Sequence, residues 1–216
     1  IFYDDSGGGV TFSGGEPLIH PHFWAVAEAA KDRGIYLSLN TNGTLITDEV
    51  AQKLAALDFA YAGISLDAPT KDFHDNFRGV PGSWERTIEG IKCLAKTSVA
   101  TVLSFTITNQ NYKSLPEIFK LAEKLGMDKV MVYNFIPTGR GKENFDLDLS
   151  PIEREEALSM MYDFSASGGS LCCTAPQLGR LCSERGHPEF IPLAHTGPGR
   201  AESLSILAQI IGGCGV

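Results

Sequence analysis

Val10-Thr11-Phe12-Ser13-Gly14-Gly15-Glu16-Pro17-Leu18 sets a short apolar run, two glycines, a carboxylate and a proline in immediate succession. The run from Val10 reads as a short buried strand. Glycines directly after a strand let the backbone turn sharply and approach a ligand closely. Pro17 lacks an N–H and stiffens the exit from the turn. Parallel α/β proteins collect their ligands at the C-terminal ends of strands. A loop of this composition offers free backbone groups and one fixed carboxylate, which suits a ligand carrying an ammonium group. The same residues also read as an ordinary strand-to-helix turn, since a short motif is only a hypothesis until its context is known.

Outward from this loop the chain alternates strand and helix. His20-Pro21 opens a helix to about Arg33, with Phe23, Val26, Ala27 and Ala30 on one face and Gly34 closing it. Tyr36 to Asn40 is the next strand, followed by Thr41-Asn42-Gly43. Thr47 caps a helix with Asp48 and Glu49 in its first turn and Val50, Leu54 and Leu57 as its apolar stripe. Ala60 to Leu66 is a third strand ending at Asp67, a residue that also reads as the cap of its own loop. A longer connection, Ala68 to Gly82, leads to a helix capped by Ser83 with Trp84, Ile88 and Ile91 inward. A fourth strand runs from about Val99 to Ile107. Ser114 and Glu117 read as a capping box for a helix carrying Ile118, Leu121 and Leu125, which stops at Gly126. Val130 to Phe135 is a fifth strand, and Ser150, Pro151 and Glu153 start one more helix, with Ala157, Met161 and Phe164 on one side. From Ser170 onward there is no strong periodicity. This alternation predicts a parallel sheet with right-handed crossovers. Polar residues gather where strands end: Glu16, Asn40 with Thr41 and Asn42, Ser65 with Asp67, Thr106 and Asn134. They read either as solvated ends or as a polar mouth over an apolar barrel.

The chain has 216 residues, 43% hydrophobic and 20% charged, ordinary for a soluble globular domain. A net charge of −8 disfavours nucleic acid and anionic membranes as partners. No apolar run approaches the roughly 20 residues needed to span a bilayer. The start, Ile1-Phe2-Tyr3-Asp4-Asp5, resembles no signal peptide and lacks a methionine, so a fragment is expected. Five cysteines, an odd number, argue for a reducing compartment, hence a cytoplasmic location, and against a disulfide framework. Cys93 lies on a helix and reads as a small core residue. Cys172, Cys173, Cys182 and Cys214 crowd the tail, which points to metal or cluster ligation.

Ser13-Gly14-Gly15-Glu16-Pro17 at a strand end resembles the motif with which radical S-adenosylmethionine enzymes hold the methionine amino group of their cofactor. The order of elements over about residues 8 to 145 is similar to that family's partial barrel from its second strand to its sixth. The resemblance therefore implies an α/β fold, a partial (β/α)6 TIM-like parallel barrel lacking its first strand. It implies a barrel over 1–145 and, over 146–216, a linker helix and the start of a Cys-containing C-terminal extension. Gly14, Gly15, Glu16 and Pro17 would form the ammonium loop, and Thr41 and Asn42 would line the mouth. Ser65 would touch the ribose or carboxylate, and Arg78 would pair with the methionine carboxylate or make a loop salt bridge. Gly212-Gly213-Cys214-Gly215 resembles the auxiliary-cluster extension called SPASM, with Cys172, Cys173 and Cys182 as weaker ligand candidates. The Cys-rich tail and Tyr133-Asn134-Phe135-Ile136-Pro137-Thr138-Gly139-Arg140-Gly141 resemble radical enzymes of the alternative haem route, the didecarboxysirohaem decarboxylases and the denitrification-haem enzyme. Phe2 to Thr11 is more similar to the glycyl-radical-enzyme activases.

The family's Cys-x-x-x-Cys-x-x-Cys loop, which holds the catalytic 4Fe–4S cluster, is not in this sequence. The resemblance implies an enzyme that uses S-adenosylmethionine, that cluster and an auxiliary 4Fe–4S cluster. It would make a 5′-deoxyadenosyl radical that abstracts hydrogen from a tetrapyrrole side chain, with ferredoxin or flavodoxin as electron donor. The 216 residues alone are expected to be inactive. The alternatives are a peptide-modifying maturase, a glycyl-radical-enzyme activase, and a non-catalytic α/β binding module. His187 and His195 read as haem-iron ligands or as exposed loop histidines.

Overall fold

The computed structural model describes residues 9–137 and 139–186. Its strands are β1 (Gly9–Phe12), β2 (Tyr36–Thr41), β3 (Phe59–Ser65), β4 (Ala100–Ile107), β5 (Lys129–Asn134) and β6 (Leu171–Cys173). Its α-helices are α1 (Phe23–Lys31), α2 (Asp48–Ala56), α3 (Lys71–Arg78), α4 (Ser83–Leu94), α5 (Leu115–Lys124), α6 (Pro151–Ala166) and α7 (Gln177–Arg185). The strands follow sequence order across one sheet, β1-β2-β3-β4-β5-β6. The pairs β1/β2, β2/β3 and β5/β6 are parallel, the arrangement that alternating strands and helices require. Among the described residues no helix is long and apolar enough to cross a membrane.

The residues divide into two compact units. One holds β1 to β3 with α1 to α4, the other β5 and β6 with α5 to α7, and the chain passes between them within β4. In the first unit Leu37, Leu39, Leu54, Ile64, Ile91 and Leu94 are buried completely or nearly so. Burying one such side chain stabilises the fold by about 1.5–3 kcal/mol. Phe12, Phe23 and Phe59 form an aromatic cluster, with the Phe12 and Phe23 rings edge-on at 5.0 Å. This cluster fixes the last residue of β1 against α1 and β3. In the second unit Phe119 and Phe164 stack at 4.0 Å, joining α5 to α6. The buried Asn111 there spends its whole side chain. It accepts from the Thr108 backbone N–H and hydroxyl and donates to the carbonyls of Asp67 and Thr106.

Local signals set the starts of α2 and α6. Thr47 Oγ1 accepts from Val50 N at 3.3 Å at the start of α2. Ser150 and Glu153 close a reciprocal capping box on α6. The departures come from tertiary partners. β1, at one end of the strand order among the described residues, is half-exposed rather than buried. Val26, expected on the inward face of α1, is 52% exposed. The connection expected over Ala68 to Gly82 contains α3, whose Phe73 and Phe77 stack one turn apart. Ser83 is the first residue of α4 rather than its cap. Asp75 of α3 caps it instead, taking the N–H groups of Gly82 and Trp84 and the Ser83 hydroxyl at 2.6–2.9 Å. Those bonds to the ionised form hold the Asp75 carboxyl down at about 2. Ser114 turns its hydroxyl back to the Asn111 carbonyl at 2.7 Å instead of opening a capping box. The stretch from Ser170 carries β6, a strand too short for its periodicity to stand out, and α7.

Candidate functional site

The loop after β1 leaves at the C-terminal end of that strand, as the sequence predicts. Gly14 has φ +133°, and a Cβ placed on Gly14 or Gly15 would meet nothing within 4 Å. The loop backbone is therefore open. Glu16 follows and heads a 3-10 turn, Pro17–Ile19, by accepting from Leu18 N at 3.2 Å. The rest of its carboxylate reaches the neighbouring strand. Oε1 accepts from Thr41 Oγ1 at 2.8 Å and Oε2 from Asn42 N at 2.8 Å. Thr41 is the last residue of β2 and is buried. Glu16 is thus a clasp between two adjacent strand ends on the C-terminal rim. Hydrogen bonds to a charged group are the strong kind.

Beyond the clasp the backbone turns tightly. Thr41 Oγ1 also accepts from Gly43 N at 3.0 Å, and Asn42 Oδ1 accepts from the backbone and hydroxyl of Thr44 at 2.9 and 2.7 Å. Gly43 has φ +76°, and a Cβ there would lie 2.8 Å from Ile64 Cγ2. Only glycine fits, both for that conformation and for that space. The Asn42 carbonyl accepts from Thr87 Oγ1 of α4 at 2.8 Å. Gly90, one turn on, lets α4 lie against the Gly43 carbonyl, which a Cβ at position 90 would overlap.

The structure brings together Gly14, Gly15, Glu16, Pro17, Thr41 and Asn42. Ser65 ends β3 on the same rim, one residue after Ile64, which pairs with Thr41. Arg78 is carried differently, as the exposed last residue of α3 ahead of Gly79. Beside the loop lies an open groove of about 690 Å³, lined among others by Ser13, Gly15, Glu16, His20, His22 and Phe23. Sequence reasoning missed Thr87, Gly90, Asn111 and Asp75. A glycine inside α4 is the one local signal that could have found any of them, because a helix carries glycine at a cost unless something must come close.

Three of the four tail cysteines, Cys172, Cys173 and Cys182, are placed as interior residues. Cys172 and Cys173 are buried on β6, and Cys182 is buried on α7. Burial pushes all three thiols up, Cys173 to about 11. Cys173 Sγ accepts from Ala175 N at 3.1 Å. Cys93 is half-buried on α4, and its thiol is pushed up by burial and then by the Asp48 carboxylate. Among the described residues no group of three or more His, Cys, Asp and Glu is placed to hold a metal ion. Cys214, His187, His195 and the start of the chain up to Gly8 lie outside the described residues.

Comparison with known proteins adds the following. The AdoMet-dependent heme synthase of Methanosarcina barkeri is 38% identical over 151 residues, 70% of this chain and 43% of that protein. The AdoMet-dependent heme synthase of Nitratidesulfovibrio vulgaris is 34% identical over 184 residues, 84% of this chain and 50% of that protein. The chain thus spans half or less of the length of these relatives. The crystal structure of Streptococcus suis SuiB bound to precursor peptide SuiA matches with a TM-score of 0.67 at 15% identity, over 87% of this chain and 42% of that one. This likeness shows the fold. Residues 3–122 match the family described as the Radical SAM superfamily. With more than half of its length matched to that family, the chain belongs to the Radical SAM superfamily.

Proposed function

We propose that this chain is the S-adenosylmethionine-binding part of a radical enzyme that removes hydrogen from a tetrapyrrole side chain in haem-type biosynthesis. The observation that carries the reading is the Glu16 clasp, which holds an open diglycine backbone at the C-terminal rim. The tetrapyrrole assignment is supported by the heme synthase relatives.

The rim residues fit the cofactor's amino acid end. A carboxylate offers about four acceptor positions, and Glu16 spends three of them on the protein. The remaining position and the exposed carbonyls around Gly14 and Gly15 would receive the methionine ammonium. Asn42 would line the site, Ser65 would meet the ribose or carboxylate, and Arg78 would pair with the carboxylate. Bound and reduced by one electron, the cofactor supplies the 5′-deoxyadenosyl radical. The chain's part is to bind and orient it.

The catalytic cluster does not fit the residues present. None of the five cysteines stands in Cys-x-x-x-Cys-x-x-Cys spacing. Burial raises the thiols of Cys172, Cys173 and Cys182 above the ordinary range. No step is therefore assigned through a cluster on this chain. Cys214 is the candidate auxiliary-cluster ligand, and ferredoxin or flavodoxin is the candidate electron donor.

The test is turnover by the intact protein, reconstituted with iron and sulfide, reduced, and supplied with S-adenosylmethionine. Adding an iron tetrapyrrole with propionate side chains is expected to increase 5′-deoxyadenosine and shorten the tetrapyrrole side chains. Stimulation by a peptide and none by the tetrapyrrole would overturn the substrate assignment.

A further inference from the structure

The two peptide units that flank the Asn42 Cα are held from opposite sides. The unit before it donates its N–H to Glu16 Oε2 at 2.8 Å. The unit after it accepts at its carbonyl from Thr87 Oγ1, also at 2.8 Å. Fixing both planes fixes both backbone torsions of Asn42, and with them the direction of its side chain. The side-chain oxygen is taken by Thr44, so the amide nitrogen is the polar end left over. Thr87 is completely buried, so its hydroxyl has no water to bond instead.

Helix α4 is itself held in place for this contact. Gly90 lets it lie against the Gly43 carbonyl, and the Thr87 methyl would be 3.3 Å from a Cβ at Gly43. At the N-terminus, three hydrogen bonds to Asp75 fix the start of the helix. A threonine that only filled space would not need its hydroxyl aimed at this carbonyl.

We infer that Thr87 is a positioning residue for S-adenosylmethionine binding: through the Asn42 carbonyl it sets the orientation in which Asn42 and the Glu16 loop meet the cofactor. The inference rests on the rim being the cofactor site. Removing the hydroxyl leaves a buried carbonyl without a partner and frees the Asn42 peptide to turn.

The experiment measures the dissociation constant of S-adenosylmethionine for the intact, cluster-reconstituted protein by calorimetry, together with the thermal unfolding midpoint. Thr87→Val, which keeps the shape, should weaken binding about tenfold. Thr87→Ser, which restores the hydroxyl, should bind within about twofold of the parent protein. Thr87→Ala, which removes the hydroxyl without adding bulk, should also weaken binding, and it carries the test if Thr87→Val does not fold. Unchanged binding by Thr87→Val would overturn the inference, as would equal weakness of the serine and valine variants or, in the fallback, unchanged binding by Thr87→Ala. Glu16→Gln, measured in parallel, separates the two readings. If it weakens binding while Thr87→Val does not, the positioning role fails and the rim reading stands. If neither variant weakens binding, the rim itself is not the cofactor site.

Discussion

Replacing Glu16 by glutamine tests the clasp and the cofactor site at once. The carboxylate accepts from Thr41 Oγ1 and Asn42 N at 2.8 Å and from Leu18 N at 3.2 Å. A glutamine whose oxygen takes the Oε1 position keeps the Thr41 and Leu18 bonds. Its NH2 group then faces the Asn42 N–H, donor against donor. The variant loses one charge-assisted bond, and the remaining two weaken as the charge goes, a cost of about 1.5–3 kcal/mol. Because these bonds join two strand ends within the protein, the cost falls on stability as well as on binding. For a chain of this size the unfolding midpoint should drop by about 3–12 °C. If the freed loop no longer presents an ordered backbone to the ammonium, affinity for S-adenosylmethionine should fall by about one to two decades. Circular dichroism gives the first number and calorimetry on the reconstituted intact protein the second. A variant with the parent midpoint and the parent dissociation constant would refute the clasp and the site together. A lowered midpoint with unchanged affinity would leave Glu16 purely structural.

The 216-residue chain, reconstituted with iron and sulfide and then reduced, is expected to yield no 5′-deoxyadenosine from S-adenosylmethionine, because it lacks the Cys-x-x-x-Cys-x-x-Cys loop; robust product would show that another cysteine set holds a catalytic cluster. Asp75 has its folded pKa lowered from 3.8 to about 2, so its stabilising effect is present above the unfolded value and is lost as pH falls through that interval. Unfolding midpoints of the parent and Asp75→Asn chains should therefore converge between those two pH values, and a difference that stays constant across them would contradict the cap. With its thiol pushed up to about 11, Cys173 should stay unalkylated by iodoacetamide in the native chain at pH 8 and react only on unfolding. Native reaction at the rate of a free thiol, followed by mass spectrometry, would show that β6 opens readily.

The order of elements from β1 to α6, apart from α3, and the rim loop are legible from neighbouring residues. A cap such as Thr47 on Val50, the Ser150–Glu153 box and the diglycine after β1 act over a few residues, so their chemistry is written in adjacent letters. The stripe of α3, Phe73 and Phe77, is only two residues among polar ones, and the sequence reads as a connection there. Other features depend on groups far apart in the chain. Glu16 and Asn42 are 26 residues apart, and Asn42 and Thr87 are 45 apart. A carboxylate beside two glycines announces a binding loop, yet whether it points at a ligand or at the next strand depends on how β1 and β2 are registered. The cysteines make the same point from the other direction. Their crowding in the tail reads as ligation, while the burial of Cys172 and Cys173 follows from the pairing of β6 with β5, which no neighbouring residue announces. Periodicity and capping are properties of a segment, while hydrogen-bond partners and burial are properties of what packs against it.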